Sequence, residues 1–482
     1  MNTLGSEQSN NTYTGKVNYR DIDFTFVFIN NELRLIPPAD KEGIIAWQWK
    51  MKPIDNGAYT FADPIPVDEK FIIADCNETN MRIVFLPEQA SIVRFNNNVV
   101  IIDVSAYIVC KSNKDLFNRI AFSCPEINYI HPTNQAFTIT LSHEEWSKKG
   151  IVWLNTNDVE LSTTEMQRFT VDDKEIQVHF GISRNVSTKI SNPPISLKSI
   201  MYFDFDATDE FEFVLRLCQI ARDFVRFLCY RNNIYFTEIK LFTPKDDGKH
   251  ELYANMYIID DGGELEEKPL QEGRIIKQLH IAGKEGEILT DIASDSIYLR
   301  HIPDSYQSGC HINAARFVMI TAAFEWEFTR LYPEGIEKSE KTINAENDVS
   351  EEIQHLIDNS TGKKKQILKF LHRFISSEDS MANKVIKVGK DFAAVIDVFG
   401  NYLYPLNSEE MKYSEMGQRL AEQRNHFAHG DLDKDFIGLS LLDLMFMENV
   451  IYAIQLKYYN VDDKAIQRAI KDLFRYNIDI ET

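Results

Sequence analysis

Apolar and polar residues alternate with a period of two through the first part of the chain. Between Ile22 and Phe28 an apolar side chain occupies every second position, most clearly at Phe24 and Phe26. Such alternation is typical of a strand with one buried face. Similar short runs, separated by turn-forming residues, continue to about residue 195. We therefore predict an antiparallel sheet, arranged as a sandwich or an open barrel, over residues 16–195.

A turn-forming segment, Asn192-Pro193-Pro194, interrupts this pattern. A strand is predicted directly after it, over Ser196–Phe205. Apolar residues at helical spacing between Phe213 and Leu228 then predict a helix with one buried face. Residues 196–305 are assigned either to an α+β continuation of the β-rich region or to a separate regulatory domain.

From about His311 the apolar residues follow a helical period to the end of the sequence. The predicted helices are Asn313–Tyr332, Val349–Asp358, Lys364–Ile375, Met381–Phe399, Ser408–His429, Phe436–Tyr459 and Asp462–Tyr476. Residues 1–15 are rich in Asn, Ser, Thr and Gly and are predicted to be disordered. The expected fold class is α+β and multidomain, with a β-rich antiparallel N-terminal region before an all-α helical domain over residues 306–482.

The chain is strongly acidic, with 73 acidic and 52 basic side chains and a net charge of −21. Such a protein does not attract nucleic acid as a whole, so a nucleic-acid site has to be a local patch. Its six cysteines form no C-x-x-C pair, which argues against zinc and favours free thiols in a reducing cytosol. The longest apolar run, Val99–Cys110, is too short to span a bilayer. We expect a cytoplasmic protein without a signal peptide or membrane contact.

The segment Arg424-Asn425-His426-Phe427-Ala428-His429-Gly430 carries the strongest chemical signal. Arginine presents a planar fork of donors that matches phosphate oxygens, and histidine exchanges a proton near neutral pH. Together they suit metal-free RNA cleavage, because one group moves the 2′-hydroxyl proton and the other neutralises charge on the phosphorus oxygens. The alternative is a surface helix whose last-turn histidine faces the negative end of the helix dipole. Gly430 suits a left-handed position after the helix end.

The sequence from Leu420 to Gly430 resembles the R-(N/H/D)-x(3)-H signature of the HEPN superfamily of helical ribonucleases. The apolar segment Ala314–Phe328 resembles the first helix of that domain, and the long apolar helix after the motif resembles its last core helix. A long β-rich region joined to such a domain is similar to the layout of the ApeA group of bacterial anti-phage proteins, which act by abortive infection.

This resemblance implies a metal-independent endoribonuclease that needs no cofactor and leaves a 2′,3′-cyclic phosphate. Arg424 would stabilise the phosphorane, His429 would act as acid or base, and Asn425 would hold their geometry. A composite site would require a homodimer, because the chain has one copy of the motif. The implied substrate is RNA, with tRNA as a family-level candidate, and a phage-derived trigger would act through the β-rich region. The alternatives are a non-catalytic HEPN-like scaffold that dimerises and binds a partner, and the toxin of a toxin–antitoxin pair.

Two carboxylates, Glu325 and Glu327, lie within the otherwise apolar segment that predicts the first helix. A carboxylate on a buried helix face is costly unless it is paired. The structural interpretation is a buried ion pair that positions a basic residue, with Arg424 as the expected partner. The catalytic interpretation is a third member of the site. Of the two, Glu325 is preferred, because the resemblance implies an acidic residue near that position.

A basic patch occupies residues 363–390, with eight basic side chains against the two acids Glu378 and Asp379, a net charge of +6. Its basic residues are Lys363, Lys364, Lys365, Lys369, Arg373, Lys384, Lys387 and Lys390. Lys365, Lys369 and Arg373 recur every four residues and are the predicted RNA-binding stripe. The opposite stripe, predicted to be buried, consists of Ile367, Leu368, Leu371, Phe374 and Ile375. The alternative is a solvated basic face that binds nothing.

Overall fold

The computed structural model of the protein describes residues 12–480 except 55–57, 63, 141–142, 151–152, 160–161, 191–192, 247, 260–264, 338, 376–379 and 431–434. The chain forms two compact units. The β unit contains the residues up to Ser296 together with Asp304–Tyr306, and the helical unit contains Ile297–Pro303 and the residues from Gln307 onward. The predicted order, an antiparallel β-rich region before a helical region, is confirmed.

The strands of the β unit bury alternate side chains. In the strand that begins at Ile22, Phe24, Phe26 and Phe28 are buried while Asp23 and Thr25 are exposed, as their alternation predicts. The strands are β1 Tyr13–Tyr19, β2 Ile22–Ile29, β3 Glu32–Ile36, β4 Met51–Pro53, β5 Tyr59–Phe61, β6 Ile72–Cys76, β7 Met81–Pro87, β8 Arg94–Asn96, β9 Val99–Cys110, β10 Phe117–Ser123, β11 Phe137–Thr140, β12 Trp153–Thr156, β13 Gln167–Val171, β14 Lys174–Val186, β15 Ile195–Thr208, β16 Glu238–Pro244 and β17 His250–Ile258.

Six antiparallel strands close on themselves in the order β9-β3-β2-β1-β6-β7, because β7 pairs again with β9. Strand β9 is long enough to serve two sets of partners. Its residues Val100–Asp103 pair with β3, whereas Val104–Val109 pair with β7 and Ala106–Cys110 pair with β17. The sheet is therefore a closed six-stranded barrel that continues through β17 into an open part, rather than the predicted sandwich or open barrel.

The strand pairings correct one prediction about the β unit and favour one of two alternatives for another. Tyr13 begins β1, which pairs with β2 over its whole length, so the predicted disorder does not extend to residues 13–15; residues 1–11 lie outside the described part. The strand that begins at Ile195 pairs with both β10 and β14. It therefore continues the preceding sheet, and residues 196–305 do not start a separate sheet.

The helices are α1 Ile45–Lys50, α2 Ile127–Ile130, α3 His143–Lys149, α4 Phe211–Cys229, α5 Glu267–Gln271, α6 Glu285–Ala293, α7 Tyr306–Gly309, α8 Ala314–Leu331, α9 Glu340–Asp358, α10 Gly362–Ile375, α11 Met381–Asp391, α12 Ala393–Leu406, α13 Tyr413–Ala428, α14 Ser440–Tyr458 and α15 Asp463–Phe474. In the helical unit, α14 packs against α8, α12, α13 and α15. Leu444, Ile451 and Ile454 of α14 are fully buried. This helix is therefore the centre of the helical core.

Three helix boundaries differ from the predictions for local reasons. Helix α9 begins at Glu340, not Val349, because the Ser339 side chain accepts the backbone N–H of Thr342 and caps the helix. The predicted helix Met381–Phe399 is two helices, since Phe392 adopts a conformation that ends α11 before α12 begins. Ser408 has a positive φ of 60°, so the helix predicted from that residue starts only at Tyr413. Among the described residues, no helix has the length and apolar character needed to cross a membrane.

Candidate functional site

The predicted motif lies at the C-terminal end of α13. The helix ends at Ala428, and the backbone N–H of His429 donates to the carbonyl oxygen of Asn425 at 3.0 Å. Gly430 has a φ of +93°, a conformation that favours glycine. The expectation that Gly430 takes a left-handed position is confirmed. The side chains of Asn425 and His429 are consequently exposed at a helix end.

Arg424, one turn before this end, is held by a carboxylate from α8. Its Nη1 donates to Glu325 Oε1 at 3.3 Å, and the two side chains are 36% and 25% exposed. The predicted ion pair between Glu325 and Arg424 is confirmed, although it is partly exposed rather than buried. The guanidinium is therefore oriented by protein and still open to an anion.

The second carboxylate of α8, Glu327, is the buried one, with an exposure of 1%. It accepts hydrogen bonds from Arg330 at 2.9 Å, from Gln455 at 3.0 Å and from the backbone N–H of Tyr298 at 2.8 Å. These donors replace the hydrogen bonds to water that a carboxylate loses on burial. Glu327 therefore joins α8 to α14 and has no contact with the motif among the hydrogen bonds of the described residues.

A second cation on Glu325 was missed by sequence reasoning. Lys384 of α11 is only 5% exposed, and its Nζ donates to Glu325 Oε2. The Nζ also lies 5.5 Å from the centre of the Phe328 ring. Lys384 was counted in the basic patch of residues 363–390, but its burial removes it from that surface. Its spacing gave a usable signal, because Met381 is three residues before it and Val388 four residues after it, and both lie on the buried face of α11.

Close packing between α11 and α13 brings these groups together. A Cβ atom on Gly417 of α13 would lie 2.5 Å from Cα of Ala382, and one on Gly389 of α11 would lie 2.5 Å from the Tyr413 ring. Only glycine fits at either contact. Because Ala382 is two residues from Lys384, this close approach fixes the lysine beneath the helix that carries Arg424.

Two further residues anchor the end of α13. The buried Gln423 accepts the backbone N–H of Ile437 at 2.6 Å and the hydroxyl of Ser440 at 3.2 Å through its Oε1. Phe427 packs against Phe317 of α8, with ring centres 5.5 Å apart. The chain segment that follows the motif is thus tied back to α13 through Ile437 and Ser440, beyond residues 431–434, which lie outside the described part.

The basic patch is only partly as predicted. In α10, Lys369 is exposed and Lys365 is half-buried, while the side chain of Arg373 and the acids Glu378 and Asp379 lie outside the described part. Beyond it, Lys384 is buried and Lys387 pairs with Asp391 at 2.7 Å. The patch is thus confined mainly to α10.

The stripe of α10 that was predicted to be buried is largely open. Ile367 and Leu371 are 57% and 45% exposed, so their predicted burial is wrong. Helix α10 instead turns the side that carries Leu368 and His372 towards α9, where His372 meets Ser350. Ile367 and Leu371 are consequently left facing solvent, while the side chains of Phe374 and Ile375 lie outside the described part.

The site combines an oriented guanidinium, an exposed histidine and an exposed amide at one helix end. Arg424 and His429 are separated by about 7.5 Å along an ideal helix axis. Within the described ranges, no group of three or more His, Cys, Asp or Glu side chains could hold a metal ion. Comparison of the chain with protein-family models, curated proteins and solved structures finds no match.

Proposed function

We propose that the protein is a metal-independent endoribonuclease of HEPN type whose catalytic residues are Arg424 and His429. The observation that carries this proposal is the ion pair between Arg424 and Glu325, which orients a partly exposed guanidinium five residues before an exposed histidine at the end of α13. Oriented cationic donors are what a pentacoordinate phosphorus transition state requires. A purely structural ion pair would not need an exposed histidine one turn further along.

In the proposed reaction, the ribose 2′-oxygen forms a bond to phosphorus while the bond from phosphorus to the 5′-oxygen breaks. The 2′-hydroxyl proton passes to a base, and the leaving oxygen takes a proton from an acid, which yields a 2′,3′-cyclic phosphate and a 5′-hydroxyl. Arg424 neutralises the non-bridging oxygens, and His429 transfers one of the two protons. Glu325 positions Arg424, and Asn425 helps to hold the pair.

A homodimer completes this scheme. A single histidine in one protonation state cannot act as base and acid in the same step, so a second copy of the motif supplies the second proton-transfer group. The RNA substrate, for which tRNA is the candidate, would be held in part by Lys365, Lys369 and Arg373 of α10. The wider role we propose is antiviral defence by abortive infection, with the β unit restraining the nuclease until a phage-derived trigger releases it.

The experiment that tests the chemistry is incubation of the purified protein with total RNA in the presence of EDTA. Cleavage that survives chelation and leaves 2′,3′-cyclic phosphate ends supports the proposal. The cyclic ends are detected because 3′-ligation stays blocked after phosphatase treatment and is restored only when the ring is first opened and the phosphate is then removed. A cleavage activity that is lost with EDTA, or that leaves 3′-hydroxyl ends, contradicts it.

A further inference from the structure

The hairpin formed by α9 and α10 has an apolar face that is open to solvent. Val349 and Leu356 of α9 are 45% and 46% exposed. Ile367 and Leu371 of α10 are 57% and 45% exposed. Single exposed apolar residues are ordinary, but a group of them framed by charges is typical of a contact surface. We call these four residues the hairpin face.

A hydrogen bond sets the register of the hairpin. Ser350 Oγ and His372 Nε2 are 2.9 Å apart, so the helices run antiparallel with these two residues side by side. Val349 directly precedes Ser350, and Leu371 directly precedes His372. One residue earlier on a helix is a rotation of about 100°. When two helices are antiparallel and two residues face each other, the residues that precede them therefore project from the same side of the pair. Val349 and Leu371 therefore project from one side of the hairpin.

The other two residues of the hairpin face continue this stripe. Leu356 follows Val349 by seven residues, two turns along α9, and Ile367 precedes Leu371 by four residues on α10. Because the helices are antiparallel, these steps lead in the same direction along the hairpin. The four side chains thus form one continuous apolar strip about two turns long.

The two helices that carry the strip have equal and opposite charge. Helix α9 has six acidic residues and one lysine, a net charge of −5, whereas α10 has five basic residues and no acid, a net charge of +5. Asp348 and Glu352 are exposed beside Val349 and Leu356, and Lys363 and Lys364 are exposed within one turn of Ile367. An acidic edge and a basic edge therefore border the same apolar strip.

We infer that the hairpin face binds the same face of a second copy of this chain, with α9 of each copy lying over α10 of the other. A two-fold axis along the hairpin produces this arrangement, and every contact then occurs twice. The apolar strips meet, and each acidic edge meets a basic edge. An unrelated partner would need a basic edge opposite α9 and an acidic edge opposite α10. A second copy related by the two-fold axis has both edges in these positions.

This inference rests on the proposed function in that both require two copies of the chain; it adds the surface through which the copies associate, and its test uses no RNA. Two double variants reverse the charges at one edge each: Asp348→Lys with Glu352→Lys on α9, and Lys363→Glu with Lys364→Glu on α10. Sedimentation velocity of the full-length protein over the micromolar range gives the oligomeric state. The wild type should be a dimer and each double variant alone a monomer, because like charges then face each other.

An equimolar mixture of the two double variants should restore the dimer, since each reversed edge then meets its complement. The matched control is Glu351→Lys with Asp358→Lys, which changes α9 by the same charge on the side away from the hairpin face. This control should remain a dimer.

A monomeric wild type, a mixture that stays monomeric, or a control that also loses the dimer overturns the inference. RNA cleavage by a protein whose association ignores all these variants would reject the hairpin face while leaving the proposed chemistry intact. A dimer that is lost in each double variant and restored in their mixture, but that cleaves no RNA, would support the hairpin face and reject the proposed chemistry.

Discussion

Lys384 and Glu325 form an ion pair in which a nearly buried lysine holds one oxygen of a carboxylate whose other oxygen binds Arg424. The three residues come from α11, α8 and α13. The orientation of the arginine at the motif therefore depends on a lysine that lies 40 residues before it in the sequence. This link decides how the site should respond to substitution.

Replacing either motif residue should abolish activity and leave the fold intact. Arg424→Ala and His429→Ala should each lower RNA cleavage by at least about a hundredfold, the usual contribution of such groups. Their side chains are partly or fully exposed, so thermal unfolding should change little. Arg468→Ala on α15, a helix without motif residues, is the matched control and should cleave normally. Full activity in both motif variants would favour the scaffold role.

Removing Glu325 should lower the free energy of unfolding more than removing its partner Lys384. Glu325→Ala leaves the buried Lys384 without its carboxylate and should lower the free energy of unfolding by about 2–4 kcal/mol. Lys384→Met removes the buried charge itself and should lower the free energy of unfolding by less than about 1.5 kcal/mol. Glu325 would still pair with Arg424 and remain in contact with solvent. Urea unfolding of both variants and of the double variant measures the difference. Equal costs for the two single variants would contradict the burial asymmetry.

Asp443 should be among the most sensitive polar residues of the helical unit. Its fully buried carboxylate accepts hydrogen bonds from Arg419 at 2.6 and 2.8 Å and from Tyr404 at 2.6 Å. Asp443→Asn should destabilise the protein by about 3 kcal/mol, since the buried carboxylate that pairs with Arg419 is lost. The control is Glu415→Gln, which removes an exposed partner of the same Arg419 at 3.2 Å and should cost below about 1 kcal/mol. Similar losses of stability in the two variants would be inconsistent with this distinction.

The helical unit should lose stability in mild acid. Burial lowers the pKa of His301 from 6.5 to about 3, so between these values the unfolded chain takes up a proton that the folded protein does not. The stabilisation is complete above about pH 6.5 and declines as the pH falls towards 3, by about 2 kcal/mol at pH 5. His301→Leu should show a flatter decline of unfolding free energy between pH 7 and 5 in urea titrations. Parallel declines in variant and wild type would refute the assignment.

The basic stripe of α10 should affect binding more than chemistry. Reversal of Lys365, Lys369 and Arg373 to Glu should weaken RNA affinity and reduce its dependence on salt, because fewer counterions are released on binding. The cleavage rate of saturated enzyme should change little, since Arg424 and His429 remain. Affinity measured against salt concentration gives both slopes. Identical slopes would favour a solvated face and place the RNA path elsewhere.

Local pattern was enough to predict the parts of the fold that depend on neighbours in sequence. The alternation at Phe24, Phe26 and Phe28 gave a correct strand, and the glycine after His429 gave a correct helix end. The partners of β9 could not be predicted, because closure depends on pairing with strands far away in sequence. Helix α10 shows a second limit: its periodicity marked the apolar stripe correctly, but periodicity cannot say whether anything covers it.

At the candidate site, too, the sequence predicted one contact and missed another. The cost of a carboxylate in an apolar helix predicted an ion pair with Arg424, and the resemblance selected Glu325, 99 residues away in sequence, over Glu327. Lys384 was missed because lysines are usually exposed and because its neighbours in sequence are also basic. Its position among Met381, Val385 and Val388 outweighs that tendency in the folded protein. Helix-face position was therefore a better guide than local charge.

The double pairing of β9 has a mechanical consequence for the β unit. This one continuous strand pairs with β7 in the closed barrel and, over Ala106–Cys110, with β17 in the open sheet that follows the barrel. Sliding β9 by one residue to open the barrel would also turn the side chains of its second half to the wrong face of the open sheet. The two parts should therefore gain and lose amide-exchange protection together, as a single cooperative unit of unfolding.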